Sequence, residues 1–194
     1  MKLLKTFWVV CVIFFSTTAF SYQLAAMSLE KMSAGAGEIF YGVVTKVETS
    51  PNFVYKNSIP YIQVTFDIKE TLKGTSSKQK VIKIAGIKNS KGEVVPLAGN
   101  PTHYVGQELV SFYTKPHPSS GFSSPIGFQG LFGIKTTSTG HASVFNLVLK
   151  DAYLHNLQNP NVISYMQSSA MDRSQISDGI ISYKDLKHIV GLSQ

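Results

Sequence analysis

The stretch Tyr61–Gly74 constrains the fold of this chain more than any other part of the sequence. Its residues alternate in polarity, with Ile62, Val64, Phe66 and Ile68 set between Gln63, Thr65, Asp67 and Lys69. This period of two predicts a β-strand with one buried face and one wet face. Because burial of these side chains does not offset the entropy of ordering the strand, it needs partners on both edges and a cover for its apolar face.

The N-terminus has the composition of a secretory signal peptide, which we assign to residues 1–21. A basic start is followed by the uncharged run Thr6–Phe15 and by small residues at Ala19 and Ser21. The run is too short to cross a bilayer, and the small residues suit signal peptidase, so we expect cleavage after Ser21. The alternative is an uncleaved anchor. With cleavage, we expect a periplasmic or secreted protein that has no membrane span.

The sequence contains one cysteine, Cys11, which lies inside the predicted signal peptide. It follows Val10 instead of the small residue that lipoprotein processing requires, so it is expected to leave with the signal. The mature chain is then cysteine-free, without a disulfide or a thiolate nucleophile. A zinc site would have to use histidine and carboxylate ligands only. No cofactor is predicted.

The charge argues against a nucleic-acid partner. The formal net charge is +7, and removal of Lys2 and Lys5 with the signal leaves 7 − 2 = +5. The lysines are spread singly and the only arginine is Arg173, whereas nucleic-acid readers favour Arg-rich clusters. A solvated, mildly basic surface is the favoured interpretation.

Six strands separated by turn residues predict one mainly β domain over residues 22–150. They are Glu38–Thr49, Tyr61–Gly74, Lys80–Ala85, Glu108–Lys115, a glycine-kinked strand at Ile126–Lys135, and Ser143–Leu149, with a hairpin and an irregular connection between 87 and 107. A short helix over Ser28–Ala36 precedes them. This number and spacing of strands predicts a small OB-like barrel of five to six strands.

Residues 151–194 predict a C-terminal helical extension. Asn159 followed by Pro160 is typical of a helix start, and this helix is expected to run to Ser169. A second helix is predicted over Ser182–Val190, because Ser182 can cap it and its apolar residues share one face. We expect this last helix to pack on the barrel.

Several short motifs appear in a familiar order. They are a Ser-Leu-Glu-Lys helix start at Ser28, Ile39–Val44 with Val47-Glu48, Glu70-Thr71-Leu72-Lys73-Gly74, and Val105–Phe112. Over about Ser28–Ile134 the chain resembles secreted bacterial proteins of largely uncharacterised families, and it is more distantly similar to netrin-like and tissue-inhibitor-of-metalloproteinase modules. The resemblance implies a five-stranded OB barrel. Such inhibitors reach the catalytic zinc through an N-terminal cysteine, which this mature chain lacks, so no inhibitory residue is implied.

No catalytic or metal-binding motif stands out. The five histidines, His103, His117, His141, His155 and His188, include no i, i+4 pair and no H-E-x-x-H. Asp67 and Glu70 are expected on opposite faces of their strand, which disfavours an acid/base pair. The segment Gly121–Pro125 departs from the nucleophile elbow G-x-S-x-G at its last position. We therefore predict no catalytic residue and no metal ligand.

The segment between Phe122 and Phe132 is the candidate binding site. Phe122, Phe128 and Phe132 could present aromatic faces to a sugar, a peptide or a base, with Gln129 as a hydrogen-bonding partner. The alternative is that the phenylalanines fill the core while the glycines between them let the strand bend.

The leading hypothesis is an exported, non-catalytic binding module that recognises a protein or glycan partner. One alternative is a secreted hydrolase with a dispersed site built from His103, His117, His141 and carboxylates. Another is single-stranded nucleic-acid binding through the barrel face, which the charge pattern disfavours.

Overall fold

The computed structural model describes residues 25–50, 59–136, 138, 140–148, 150, 152–168 and 178–194. The strands are β1 (Glu38–Thr49), β2 (Tyr61–Lys73), β3 (Gln79–Lys88), β4 (Val94–Pro96), β5 (Glu108–Tyr113), β6 (Leu131–Thr136), β7 (Ala142–Asn146) and β8 (Ile180–Ser182). The helices are α1 (Leu29–Gly35), α2 (Pro160–Ser168) and α3 (Tyr183–Leu192). The described part of the chain is mainly β, as the sequence predicts.

All eight strands form one antiparallel sheet in the order β4-β3-β2-β1-β5-β6-β7-β8. The alternating stretch, β2, is third in this order and pairs with β1 on one edge and with β3 on the other. Its inward side chains Ile62, Val64 and Phe66 are at most 7% exposed. The requirement for two partner strands and a buried face is therefore met.

The predicted closed OB-like barrel is wrong at the level of strand pairing, because the described strands form an open sheet. The second edge of β5 pairs with β6, and the second edge of β3 pairs with β4, so β3 and β5 do not pair with each other. The segment 123–125 lies between them and bridges to the end of β5 through Pro125 and Tyr113. The backbone N–H of Ser123 donates to the carbonyl of Lys83 at 2.8 Å, and that of Thr114 donates to Ser124 at 2.9 Å.

Two hydrophobic cores lie on opposite faces of the sheet. The helix-side core joins α1, α2 and α3 to β1 and to β5–β8, and the fully buried Ile39, Phe112 and Leu186 belong to it. The strand-side core lies on the opposite face and includes Phe40 and Phe66. Ile39 and Phe40 belong to different cores because successive side chains of a strand point to opposite faces.

The helix side of the sheet is covered over only part of its width. On β1, Tyr41 packs at the edge of the helix-side core, and Val43, two residues on, faces the same way. Val43 pairs with Asp67, and Asp67 pairs with Gln79. The same face thus continues onto β2, β3 and β4, where its side chains are partly or fully exposed and no helix of the described residues belongs to a core there; we call this part the outer face.

The helix caps follow the sequence prediction. The Ser28 hydroxyl accepts the backbone N–H of Lys31 at 3.4 Å at the start of α1, and the Ser182 hydroxyl accepts that of Asp185 at 3.0 Å at the start of α3. The three-residue strand β8, which the sequence did not predict, runs directly into α3 and pairs with β7. None of the helices in the described ranges is both long and apolar enough to span a membrane.

The predicted glycine-kinked strand at Ile126–Lys135 is only partly correct. Ile126–Phe128 forms a single 3₁₀ turn, and β6 begins at Leu131. Gly127 and Phe128 have φ values of +56° and +59°, which no β-strand contains. The first half of the stretch is therefore a turn.

The ETLKG motif at the end of β2 joins both ends of the described chain to the sheet. The Glu70 carboxylate accepts hydrogen bonds from the Tyr183 hydroxyl and from Lys187 Nζ of α3, each at 2.9 Å. Lys73 Nζ donates to the carbonyl of Ser33 in α1 at 2.7 Å, where a cation is favourable at a helix C-terminus. These contacts give the motif an architectural role.

Some predicted features lie outside the described residues. They are the signal peptide with Cys11, most of the loop between β1 and β2, and the polar segment between α2 and β8.

Candidate binding surface

The four predicted site residues do not converge on one site. Phe132 is fully buried and packs edge-on against Tyr153 in the helix-side core, with ring centroids 5.0 Å apart. Gln129 is 1% exposed, and its side-chain amide donates to the carbonyl of Ala25 and accepts the N–H of Met27, both at 2.9 Å. Both residues therefore make internal contacts in the described chain.

Phe128 and Phe122 are partly exposed and lie apart from that core. Phe128 covers the turn at Gly99, where an added Cβ would lie 3.3 Å from its ring. Phe122 instead packs on Tyr61 of β2, with ring centroids 6.1 Å apart and a 43° angle between the rings. Among the predicted residues, Phe122 is the one that the fold places on an open surface of the sheet.

Phe122, Tyr61 and Lys83 form an aromatic and basic cluster on the outer face. Tyr61 and Lys83 project on the same side of neighbouring strands, since both alternate with buried residues of the strand-side core. Lys83 Nζ lies 5.4 Å from the centroid of the Tyr61 ring, within the range of a cation–π contact. The cluster offers two aromatic rings and a positive charge to a partner.

Backbone hydrogen bonds hold Phe122 in place. The carbonyl of Phe122 accepts the N–H of His117 at 2.9 Å, and the N–H of Gly121 donates to the carbonyl of His117 at 2.8 Å. Gly121 has a φ of +69°, which permits this reversal of the chain. The bond between Ser123 and Lys83 then fixes the end of the loop on β3. The cluster is therefore preorganised, which lowers the entropy cost of binding.

Exposed aliphatic side chains adjoin this cluster. Val81 and Ile87 of β3 are 53% and 46% exposed, and Leu97, whose N–H bonds to β3 at Ala85, is 38% exposed. Ile59 is 56% exposed. The carbonyl of the next residue, Pro60, accepts the N–H of Gly86 at the same end of β3. Two of the nine large apolar residues that the described chain exposes thus lie on β3, and two more lie in segments bonded to its end. Exposed apolar side chains grouped in this way are typical of an interaction site.

A second polar cluster lies where β1, β2 and β5 meet α3. The Tyr41 hydroxyl donates to Glu108 at 2.8 Å, and Tyr41 packs edge-on against Tyr183 at 5.3 Å. Burial, together with the Glu108 carboxylate, raises the pKa of Tyr41 to about 12, and burial also raises the pKa of Tyr183, which donates to Glu70. Both tyrosines stay protonated at neutral pH and hold α3 on the sheet.

The position of Glu70 corrects a prediction. Strict alternation predicts Asp67 and Glu70 on opposite faces, but β2 contains a bulge, and Glu70 pairs with Tyr41 while Asp67 pairs with Val43. Both carboxylates therefore project on the same face. They have different partners, however, because the Asp67 carboxylate accepts a hydrogen bond from Gln79 at 2.8 Å.

The histidines of the hydrolase alternative lie in different environments. His103 is 6% exposed in contact with the strand-side core, where its Nε2 and the Tyr113 hydroxyl are 3.0 Å apart and its ring packs edge-on against Phe66. Burial lowers the pKa of His103 to about 4. His117 is exposed, and its Nδ1 contacts Ser119. Within the described ranges, no group of three or more histidine, cysteine or carboxylate side chains is arranged to hold a metal ion.

Sequence reasoning found Phe122 but missed its partners Tyr61 and Lys83. The one signal available was that Tyr61 opens the alternating strand on its wet face, where a large aromatic residue is unusual. Comparison with protein-family models gives no match for this chain, and comparison with curated proteins gives none either.

Proposed function

We propose that this protein is an exported, non-catalytic binding module that recognises a protein partner through its outer face. The observation that carries the proposal is that the cluster of Tyr61, Phe122 and Lys83 shares the outer face with the exposed Val81 and Ile87 of β3. Aromatic residues flanked by aliphatic ones, with a cation among them, are the composition of interface centres.

The aliphatic residues favour a protein over a glycan. A sugar would stack on Tyr61 and Phe122, but it would leave Ile87 and Leu97 without a contact that stabilises binding. A protein can bury all four side chains at once. The position of Lys83 and the net charge, 7 − 2 = +5 after loss of Lys2 and Lys5 with the signal peptide, favour a partner with an acidic rim.

Export is part of the proposal, and it has its own test. The supporting features are the basic start, the short apolar run and the small residues before Tyr22. N-terminal sequencing of the protein recovered outside the cytoplasm is expected to begin at Tyr22. A chain that begins at Met1 in that fraction would contradict cleavage.

We also propose that the fold is related to OB-type barrels, although its sheet is open. This proposal is supported by the β1–β2–β3 meander, by β5 lying beside β1, and by the hydrogen bonds through Ser123 and Ser124 that link β3 to the end of β5. OB-type barrels present the face of their second and third strands to ligands, which here corresponds to the outer face.

The binding proposal is tested by affinity capture from the envelope and secreted fractions of the source cells with three baits. The baits are the wild-type chain, Ile87→Glu on the outer face, and Val105→Glu on a turn elsewhere. Both replaced side chains are exposed, at 46% and 68%, so neither change should affect folding.

We expect wild type and Val105→Glu to retain one partner protein. Its binding to Ile87→Glu should be at least about tenfold weaker, because the complex would bury a carboxylate that has no hydrogen-bond donor or cation beside it. Equal retention by both variants, or no specific retention by wild type, would contradict the proposal.

A further inference from the structure

An open cleft of about 950 Å³ lies at the end of the sheet opposite the exposed tip of β3. Its walls are the C-terminal end of α1 with the start of β1 (34–38), the end of β2 (73–75), and Lys115 with Pro116 after β5. Half of the lining residues are alanine or glycine, so the walls carry few bulky side chains. The volume suits a small organic molecule.

The charges of the cleft do not balance. Glu38 is paired with Lys80, whose Nζ lies 2.9 Å from Glu38 Oε1. Lys73 uses two of its three ammonium N–H groups on the carbonyls of Ser33 and Ala34. Lys115 has no hydrogen bond or ion pair with any residue that the structure describes. Lys73 thus offsets the partial negative charge at the C-terminus of α1, and Lys115 leaves the charged side chains of the lining with an excess of one positive charge.

The close approach of two strands places Lys115 in the cleft. The N–H of Gly37 donates to the carbonyl of Tyr113 at 2.9 Å. A Cβ at position 37 would lie only 2.7 Å from the backbone nitrogen of Lys115. Glycine at this position thus lets Lys115 pass directly over the start of β1, where it lines the cleft.

We propose that this cleft binds a small organic oxyanion, a molecule that carries a carboxylate or a phosphate group, with Lys115 as its main charged contact. The remaining N–H of Lys73 and the Thr75 hydroxyl are the further donors in reach of the same space. A charge-assisted hydrogen bond to an ammonium group is stronger than a neutral one, and the alanines and glycines leave room for the rest of the molecule. This site is distinct from the outer face and does not depend on the function proposed for it.

The test is an NMR titration that follows the backbone amides of Gly35, Gly37 and Gly74. Citrate and inorganic phosphate are added separately, against sodium chloride at matched ionic strength. The proteins are the wild type, Lys115→Met, which keeps the aliphatic stem, and Lys91→Met, which removes the same charge from the turn between β3 and β4.

We expect saturable shifts of these amides with citrate, with phosphate or with both, and the arm that saturates identifies the oxyanion class. Lys115→Met should weaken that binding by about tenfold or more, whereas Lys91→Met should leave it unchanged. The proposal is overturned if neither anion gives saturable shifts up to about 20 mM, or if Lys115→Met binds as the wild type does.

Discussion

One face of the sheet is covered by helices over half of its strands and exposed over the other half. Over β5–β8 it is packed under three helices, and Phe112, Phe132 and Leu186 are fully buried there. Over β2–β4 the same side is open, and Val81 and Ile87 are about half exposed. In the covered half, apolar side chains of the helices pack on the strands and remove them from water. A partner that docks on the outer face would supply that cover from another molecule.

The largest expected difference between the halves is in stability. Leu186→Ala removes a fully buried side chain of α3 from the helix-side core and should lower the free energy of unfolding by about 2–5 kcal/mol. Ile87→Ala on the outer face should change it by less than about 0.5 kcal/mol. Urea denaturation of both variants measures the two values. Similar losses would mean that the isolated chain already buries its outer face.

The core beneath the outer face should respond to acid. Burial lowers the pKa of His103 to about 4 from the ordinary 6.5, so between these values the unfolded chain binds a proton that the folded chain does not. Stability is then complete above pH 6.5 and falls as the pH drops towards 4, by at most about 3 kcal/mol. Urea denaturation across this range should show the loss in wild type. His103→Gln should lack this loss, and the exposed His188→Gln should keep it. A wild-type stability that is constant over this range would contradict the assignment.

How far the sequence predicts this fold depends on the range of the interactions involved. The strand β1 follows from its β-branched and aromatic residues, and β2 follows from alternation. The caps of α1 and α3 follow from Ser28 and Ser182. All of these signals are local. The strand β8 has only three residues, which is too short for a periodic signal. The bulge near Glu70 and the open sheet depend on pairing with distant strands. The outer-face cluster joins Tyr61 to Phe122, which are 122 − 61 = 61 residues apart in the sequence, and no local pattern contains that contact.

The smallest expected effect concerns the boundary between the halves. The ion pair of Lys187 and Glu70 holds α3 at the edge of the covered half, but both side chains are about 40% exposed, so solvent screens the pair. Lys187→Met should cost less than about 1 kcal/mol, and added salt should reduce the difference from wild type. Lys184→Met, which changes an exposed residue of the same helix, is the control in urea denaturation. A loss of stability greater than about 1 kcal/mol would contradict this expectation and show that the ion pair is a main contact of α3 with the sheet.

The most direct test of the outer face as a binding surface is lysine labelling with an acylating reagent. Lys83 lies in the aromatic cluster, whereas Lys91 lies on the exposed turn between β3 and β4. Mass spectrometry would compare their modification in intact cells and in the purified chain. We expect Lys83 to be labelled several-fold less in cells than in the purified protein, and the labelling of Lys91 to be unchanged. Equal labelling of Lys83 in both samples would contradict a partner on this face.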